Sequence, residues 1–301
     1  MIFKGDAFRN RYRIAGELTA TTPTHIGNGE IKERPRDGKS EKPKKQNEKT
    51  TQDVSLIALG FQDGKLRPYL PGSALRGNVR HYLLQIFRAF GHRIAADADF
   101  ASAAFRDYEE SQQIDYMINK ASLLEQLFGT PFSEGKIEFW DAPAKNEVTA
   151  PELASRGWDK DRQTYIVQSV SIDPETGAAD PHKLYAFEVA PPGLSYEVNI
   201  VGQNLTDEEL GFLLFGLYGF NSEIFPLTIG AMAGRGFGRM AFKVTNIYRI
   251  QNQDQELANW VKLALAQDHA GYNLLPKVTE PVDQLIRRFK EAFQARMKEK
   301  S

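Results

Sequence analysis

The chain has no cysteine among its 301 residues, so a disulfide, a thiol nucleophile and a cysteine-ligated zinc are all excluded. Histidine is sparse. His25, His81, His92, His182 and His269 are scattered without metal-ligand spacing, which makes a histidine zinc site unexpected as well. No apolar run reaches the roughly 20 residues that a membrane span requires, and Met1 to Asn10 lacks the apolar core of a signal peptide. The expectation is a cytoplasmic protein with no membrane partner. An excess of one charge is also missing: 38 Lys and Arg face 39 Asp and Glu, for a formal net charge of −1. A free-standing, non-specific nucleic-acid binder carries a large basic excess, so any RNA contact has to be local. That balance suits a subunit that holds one strand along one face and meets protein partners with the rest. The 41% hydrophobic content is enough to bury a sizeable core, as one elaborated domain or two small ones.

Two segments carry most of the chemical information. In Pro68 to Arg80 (PYLPGSALRGNVR), Pro71 and Gly72 form a turn and Ser73 is a candidate cap. Leu75, Val79, Tyr82, Leu83, Ile86 and Phe90 then recur at helical spacing, which predicts a helix over 74–90. The first amides of such a helix lack intrahelical partners and carry the positive end of its dipole, a natural anion site. Arg76 and Arg80 flank the apolar stripe near that end. An ordinary capped helix with two solvated arginines explains the segment equally well on its own. The second segment, Gly230 to Arg239 (GAMAGRGFGR), places four glycines within nine residues beside Arg235 and Arg239, between an apolar helix and a strand over 240–250. Glycine permits positive φ and a close approach by a ligand. No Gly-Lys-Ser/Thr follows, so this is not a Walker A loop, and its helix-to-strand order is the reverse of a dinucleotide fingerprint. A glycine-arginine loop suited to a sugar-phosphate chain remains, with Gly234, Arg235, Gly236 and Arg239 as its contacts.

Tyr12, Ile14, Leu18 and Ala20 alternate with polar residues, predicting a strand with one buried face. Residues 31–52 are almost devoid of apolar side chains and read as a flexible basic loop, more simply a solvated linker than an RNA arm. Residues 91–119 form a variable region with no clear order, and 149–183 read as loop-rich. Ser122 to Glu125 and Thr206 to Glu209 are capping boxes, the second opening a helix over 210–220 that is apolar nearly all round. Strands are expected over 136–140, 184–189 and 195–201, the last two meeting at Pro191-Pro192-Gly193 in a hairpin-like turn. Without insertions the order is strand, helix, strand, strand, helix, strand. That is the order of a ferredoxin-like, RNA-recognition-motif-like α+β fold. It spans 1–250 and carries insertions at 31–52, 91–119 and 145–183; a helical extension occupies 251–301. In that extension Val282, Leu285, Ile286, Phe289 and Phe293 make one apolar stripe that closes on Met297, expected to pack on the chain's own core or a neighbouring subunit.

Five runs occur in order: His25 to Gly29 (HIGNG), Pro68 to Gly77 (PYLPGSALRG), Leu127 to Gly129 with Phe139 to Ala142 (LFG, FWDA), Ser171 to Ala178 (SIDPETGA), and Gly234 to Gly238 (GRGFG). Together they resemble the RAMP superfamily of CRISPR proteins, and most closely the Cas-seven backbone subunits of type III effector complexes. The resemblance covers roughly 12–250. It implies a subunit that polymerises along a CRISPR RNA, gripping phosphates through Gly72, Ser73, Arg76 and Arg80 and through the glycine-arginine loop, with His25 also at the RNA. Base edges are left free to pair with target single-stranded RNA, so pairing and not protein reads sequence. Its other partners would be Cas-ten, Cas-five and Cas-eleven type subunits and further RAMP subunits. A thumb-like hairpin between the second and third core strands would fall at about 165–183, with Tyr165 and Lys183 as RNA contacts and Tyr165 and Tyr185 supporting splayed bases.

Cleaving members of that family carry an aspartate between the first strand and the helix, a position Asp53 matches by order; Glu30, Asp37 and Asp63 lie nearby. Such a carboxylate helps to hold a divalent cation, Mg2+ above all, which stabilises the transition state while a 2′-hydroxyl attacks. A single aspartate is a thin metal site that needs RNA oxygens and water to complete it. Asp53 as an exposed loop acid with no role is the plain alternative, and the subunit would then be purely structural. A Cas-six type RNA-processing ribonuclease using His25 as acid or base is a third reading.

Overall fold

The computed structural model describes residues 3–33, 53–90, 94–95, 103–172, 179–266 and 275–298. In chain order, the first part holds β1 (Asn10–Ala20), β2 (Gly27–Glu33), β3 (Asp53–Ile57), β4 (Leu59–Gln62), β5 (Lys65–Leu70) and α1 (Gly72–Phe87). The middle holds α2 (Ala103–Arg106), α3 (Glu110–Lys120), α4 (Leu123–Phe128), β6 (Gly129–Thr130), β7 (Ser133–Glu134), β8 (Ile137–Phe139) and β9 (Ala142–Pro143). The last part holds β10 (Tyr165–Ile172), β11 (Ala179–Val189), β12 (Ser195–Gln203), α5 (Asp207–Leu217), β13 (Met240–Gln251), α6 (Glu256–Ala266) and α7 (Val282–Lys298).

The central sheet has the order β13-β1-β12-β8, and every neighbouring pair is antiparallel. Counted as core strands, that is fourth, first, third, second, with α1 after the first and α5 after the third: the split β-α-β of a ferredoxin-like fold. The fold is α+β, as the sequence predicts. Strict alternation in β1 sends Tyr12, Ile14, Leu18 and Ala20 inward against α1 and α5. Both capping boxes close reciprocally, Ser122 with Glu125 and Thr206 with Glu209. Glu209 is also the buried partner of Lys136, whose Nζ donates to it at 2.5 Å with both side chains 1% exposed. α5 is apolar all round because it is covered twice, by the sheet and by α7. At Gly211 an added Cβ would lie 2.5 Å from the Leu285 carbonyl oxygen, so glycine lets the two helices approach closely. Leu285, Ile286 and Phe289 of the predicted stripe are buried there, and Phe87 meets Phe212 and Phe289 with ring centroids 5.4 and 5.5 Å apart. The extension therefore packs on its own core.

A second sheet, β10-β11-β3-β2, is antiparallel except where β11 runs parallel to β3. This corrects two expectations. The loop-rich reading of 149–183 holds only for 149–164: β10 and β11 form an antiparallel hairpin over most of the span expected to be thumb-like, with 173–178 outside the described residues. Pro191 to Gly193 is not a hairpin turn either, because β11 and β12 belong to different sheets; the prolines turn a corner between them. The β4–β5 hairpin turns through Asp63 and Gly64, both at positive φ, and β5 passes to β9 before entering α1. Of the region expected to be variable, α2 and α3 are described and pack through Phe105 and Met117. Of the basic loop, 34–52 lies outside the described residues. No helix among the described residues is long and apolar enough to cross a membrane.

Candidate nucleic-acid interface

The glycine-arginine loop is pinned at its base and open at its tip. Ile229 and Gly238 pair through the Ile229 amide and the Gly238 carbonyl at 3.0 Å, while the Gly238 amide donates to the Pro23 carbonyl at 2.9 Å. The Ala231 amide donates to the His25 carbonyl at 2.8 Å, and the Arg239 amide to Thr22 Oγ1 at 3.0 Å. The loop is thus clamped onto the segment that leaves β1. Its glycines divide by cause. Gly230 and Gly238 have positive φ, and a Cβ would fall 2.3 Å from the His25 carbonyl oxygen or 2.1 Å from that of Ile229. Gly236 has φ +84 but open space around it, and Gly234 has neither positive φ nor any atom within 4 Å of an added Cβ. Among the described residues no packing accounts for glycine at 234, and its backbone is accessible from outside. Arg235 and Arg239 are exposed on either side.

The start of α1 differs from expectation. Ser73 does not cap it: the N-cap is Pro71 with no side-chain cap bond, and Ser73 is exposed in the first turn. The Gly72 amide donates to Asp141 Oδ1 at 2.8 Å, and the Ala74 and Leu75 amides turn back to the Pro71 carbonyl at 3.0 and 3.1 Å. A carboxylate from the end of β8 already occupies the positive end of the helix, so Gly72 does not offer its amide to a phosphate. Gly72 is glycine because a Cβ would clash with the Phe139 carbonyl oxygen at 2.2 Å. Arg76 is likewise committed inward. Its Nη2 donates to the Phe128 carbonyl, its guanidinium lies 5.8 Å from that ring, and burial, then Arg80, lowers its pKa. Arg80 is half-buried one turn on.

His25 is buried, 3% exposed, beneath the loop. Its Nδ1 lies 2.7 Å from the Glu188 carbonyl and therefore carries the proton there, while Nε2 is 3.4 Å from Ser55 Oγ. His25 supports the loop through its own carbonyl and is too deep to touch RNA or to exchange protons with it. Tyr165, also 3% exposed, pairs with Val189, and burial raises its pKa; it offers no open ring for a base. Lys183 and Tyr185 lie on β11, with side chains outside the described residues.

Asp53 begins β3, opposite Glu33, and its side chain is outside the described residues. Ser55 is two residues on, about 7 Å along the strand, and through His25 it connects β3 to the loop. Among the described residues no group of three or more His, Asp or Glu side chains could hold a metal ion. Of the acids near it in sequence, Asp63 sits at the tip of the β4–β5 hairpin, and Asp37 and the Glu30 side chain are outside the described residues.

Sequence reasoning missed three residues that matter, two of them in one run. Asp141 and Trp140 sit in the FWDA run, which supplied the signal without a role. Trp140 is 41% exposed with the Arg13 guanidinium 5.9 Å from its ring, and Arg13 Nε donates to Asn199 Oδ1 at 3.0 Å. The other is Glu188, whose carboxylate takes the Ile57 amide at 3.2 Å, Thr164 Oγ1 at 2.9 Å and Arg162 Nη2 at 2.8 Å. It ties the second sheet to the histidine under the loop.

No curated protein matches the chain. The family model of the RAMP superfamily matches residues 17–241, from within β1 through the glycine-arginine loop to the start of β13. With that match over most of its length and with its ferredoxin-like sheet, the chain belongs to the RAMP superfamily, whose role is CRISPR-associated and RNA-binding.

Proposed function

We propose that this chain is a backbone subunit of a type III RNA-guided complex, that it holds CRISPR RNA by its phosphates, and that it cleaves the paired target RNA beside Asp53. The observation that carries the reading is the open space around Gly234 and Gly236, on either side of Arg235 and close to Arg239, on a loop clamped to the core. A phosphate there meets side-chain-free backbone and exposed arginines together, contacts that position a strand without reading it. Arg80 and the exposed Ser73 extend the phosphate path; the Asp141-capped amide of Gly72 and the inward-facing Arg76 do not belong to it.

In this reading cleavage transfers the phosphorus from the leaving 5′-oxygen, which departs as a hydroxyl, to the 2′-oxygen of the preceding nucleotide, and Asp53 is the carboxylate assigned to take the 2′-hydroxyl proton. The described residues do not by themselves make a ligand set for a divalent cation, so any Mg2+ at Asp53 depends on RNA oxygens and water for most of its ligands.

The test is the assembled complex with Asp53→Ala. Loss of target cutting at the phosphates adjoining this subunit, with CRISPR RNA and target still bound, is the expected result. Undiminished cutting there would leave a structural subunit of the same filament.

A further inference from the structure

Next to the start of α1 lies a cavity of about 440 Å3 on the β4–β5 hairpin that the phosphate-binding reading does not use. Its lining includes Gly60, Arg67, Tyr69, Asp141 and Pro143. Tyr69 and Pro143 are directly paired across β5 and β9, and Gly60 is paired with Arg67 across β4 and β5. The Tyr69 ring stands against the bare Cα of Gly60: a Cβ built there would lie 3.3 Å from Tyr69 Cδ1. The Arg67 side chain is 11% exposed and its Nη2 donates to the Glu147 carboxylate, yet its buried Nε–H has no acceptor among the described residues. A buried donor without an acceptor is costly, so this one calls for an acceptor from elsewhere.

We infer that this cavity takes an unpaired nucleobase of the bound RNA, stacked on Tyr69 and Pro143, with a ring nitrogen or carbonyl oxygen of its edge accepting from Arg67 Nε. The inference rests on the RNA-binding reading above and adds a base subsite to it. The lining chooses base over phosphate. Asp141 lines the cavity and Glu147 is bonded to Arg67, so a phosphate would face two carboxylates, whereas a neutral base tolerates them. Flat tyrosine and proline surfaces match a base face, and stacking accepts any base. The position suits a strand passing the end of α1, because the Asp141 carboxylate that holds the Gly72 amide also lines the cavity.

The test uses the full chain, fluorescein-labelled 12-nucleotide single-stranded RNA and an abasic ribose-phosphate oligomer of the same length, with binding read by anisotropy. Gly60→Val fills the cavity at a position with ordinary φ, and Tyr69→Leu removes its aromatic wall; a circular-dichroism melt shows which variants fold, and either one suffices. Intact RNA is expected to bind wild type about 5- to 100-fold tighter than the abasic strand, and the folded variants to lose that advantage while holding the abasic strand as wild type does. Equal binding of the two oligomers, undiminished binding of intact RNA by the variants, or equal loss for both oligomers overturns the base subsite. If neither oligomer binds wild type, the RNA-binding reading itself fails, and the subsite with it.

Discussion

The Gly72 amide and Asp141 Oδ1 lie 2.8 Å apart, and that one bond changes the role of the helix it begins. The free positive end of α1 would be a phosphate site; capped by a carboxylate from the β8–β9 connection, it becomes a joint between helix and sheet. Asp141→Ala is therefore expected to lower stability by about 1 kcal/mol, the typical worth of an N-cap. Urea denaturation of the purified chain measures it, and an unchanged midpoint would show that the bond contributes nothing.

The two arginine sets should separate cleanly. Arg235→Ala and Arg239→Ala are expected to weaken RNA binding equally for every guide sequence, each lowering the slope of log affinity against log salt by about 0.7, the single-strand value per phosphate. Arg76→Ala should instead cost about 1.5–3 kcal/mol of stability through the lost bond to the Phe128 carbonyl and leave the salt slope unchanged. A guide-dependent loss at Arg235 would contradict a phosphate contact.

Within the glycine-arginine loop, Gly234→Ala is expected to fold with wild-type stability and to weaken RNA binding, because its Cβ enters the space where the strand approaches. Gly230→Ala should destabilise by about 1–3 kcal/mol, since it forces alanine into positive φ against the His25 carbonyl oxygen. Thermal melts and RNA titrations of the two variants distinguish these roles; wild-type RNA affinity in Gly234→Ala would remove the argument from the open backbone.

The buried Lys136–Glu209 pair gives a prediction independent of RNA. Lys136→Met leaves Glu209 without its partner in the core and should cost about 3–5 kcal/mol, whereas Lys136→Met with Glu209→Leu should recover most of the loss. Glu209 also closes the Thr206 capping box, so recovery falls short by that cap. A double variant no more stable than the single would show that the pair itself stabilises the fold.

Strands β1, β12 and β13, helices α1 and α5 and both capping boxes were legible because their signals are local: two-residue alternation, helical spacing, a serine or threonine three residues before a glutamate. The β10–β11 hairpin was legible only in part: a hairpin near 165–183 and a strand over 184–189 were expected, but β10 itself is defined by its pairing with β11 rather than by strict alternation. At the site, the loop glycines and their arginines could be read directly. The burial of His25 and Tyr165 could not, because nothing in HIGNG or around Tyr165 records that a second sheet covers them. The Asp141 cap joins residues 69 positions apart, and Glu188 reaches Ile57 and His25 across 131 and 163 positions, beyond the reach of any local pattern.

The sequence by itself determined the order of elements, the ferredoxin-like core and the glycine-arginine loop, since turn chemistry and hydrophobic period act between near neighbours. Tertiary structure alone decided which polar groups still face outward. Asp141 reaches the end of α1 and Phe128 takes Arg76, and the sheet that closes over His25 leaves the tip of the glycine-arginine loop exposed. A hydrogen-bonding group can meet either the protein or a ligand, and which one it meets depends on distances that only the folded chain sets.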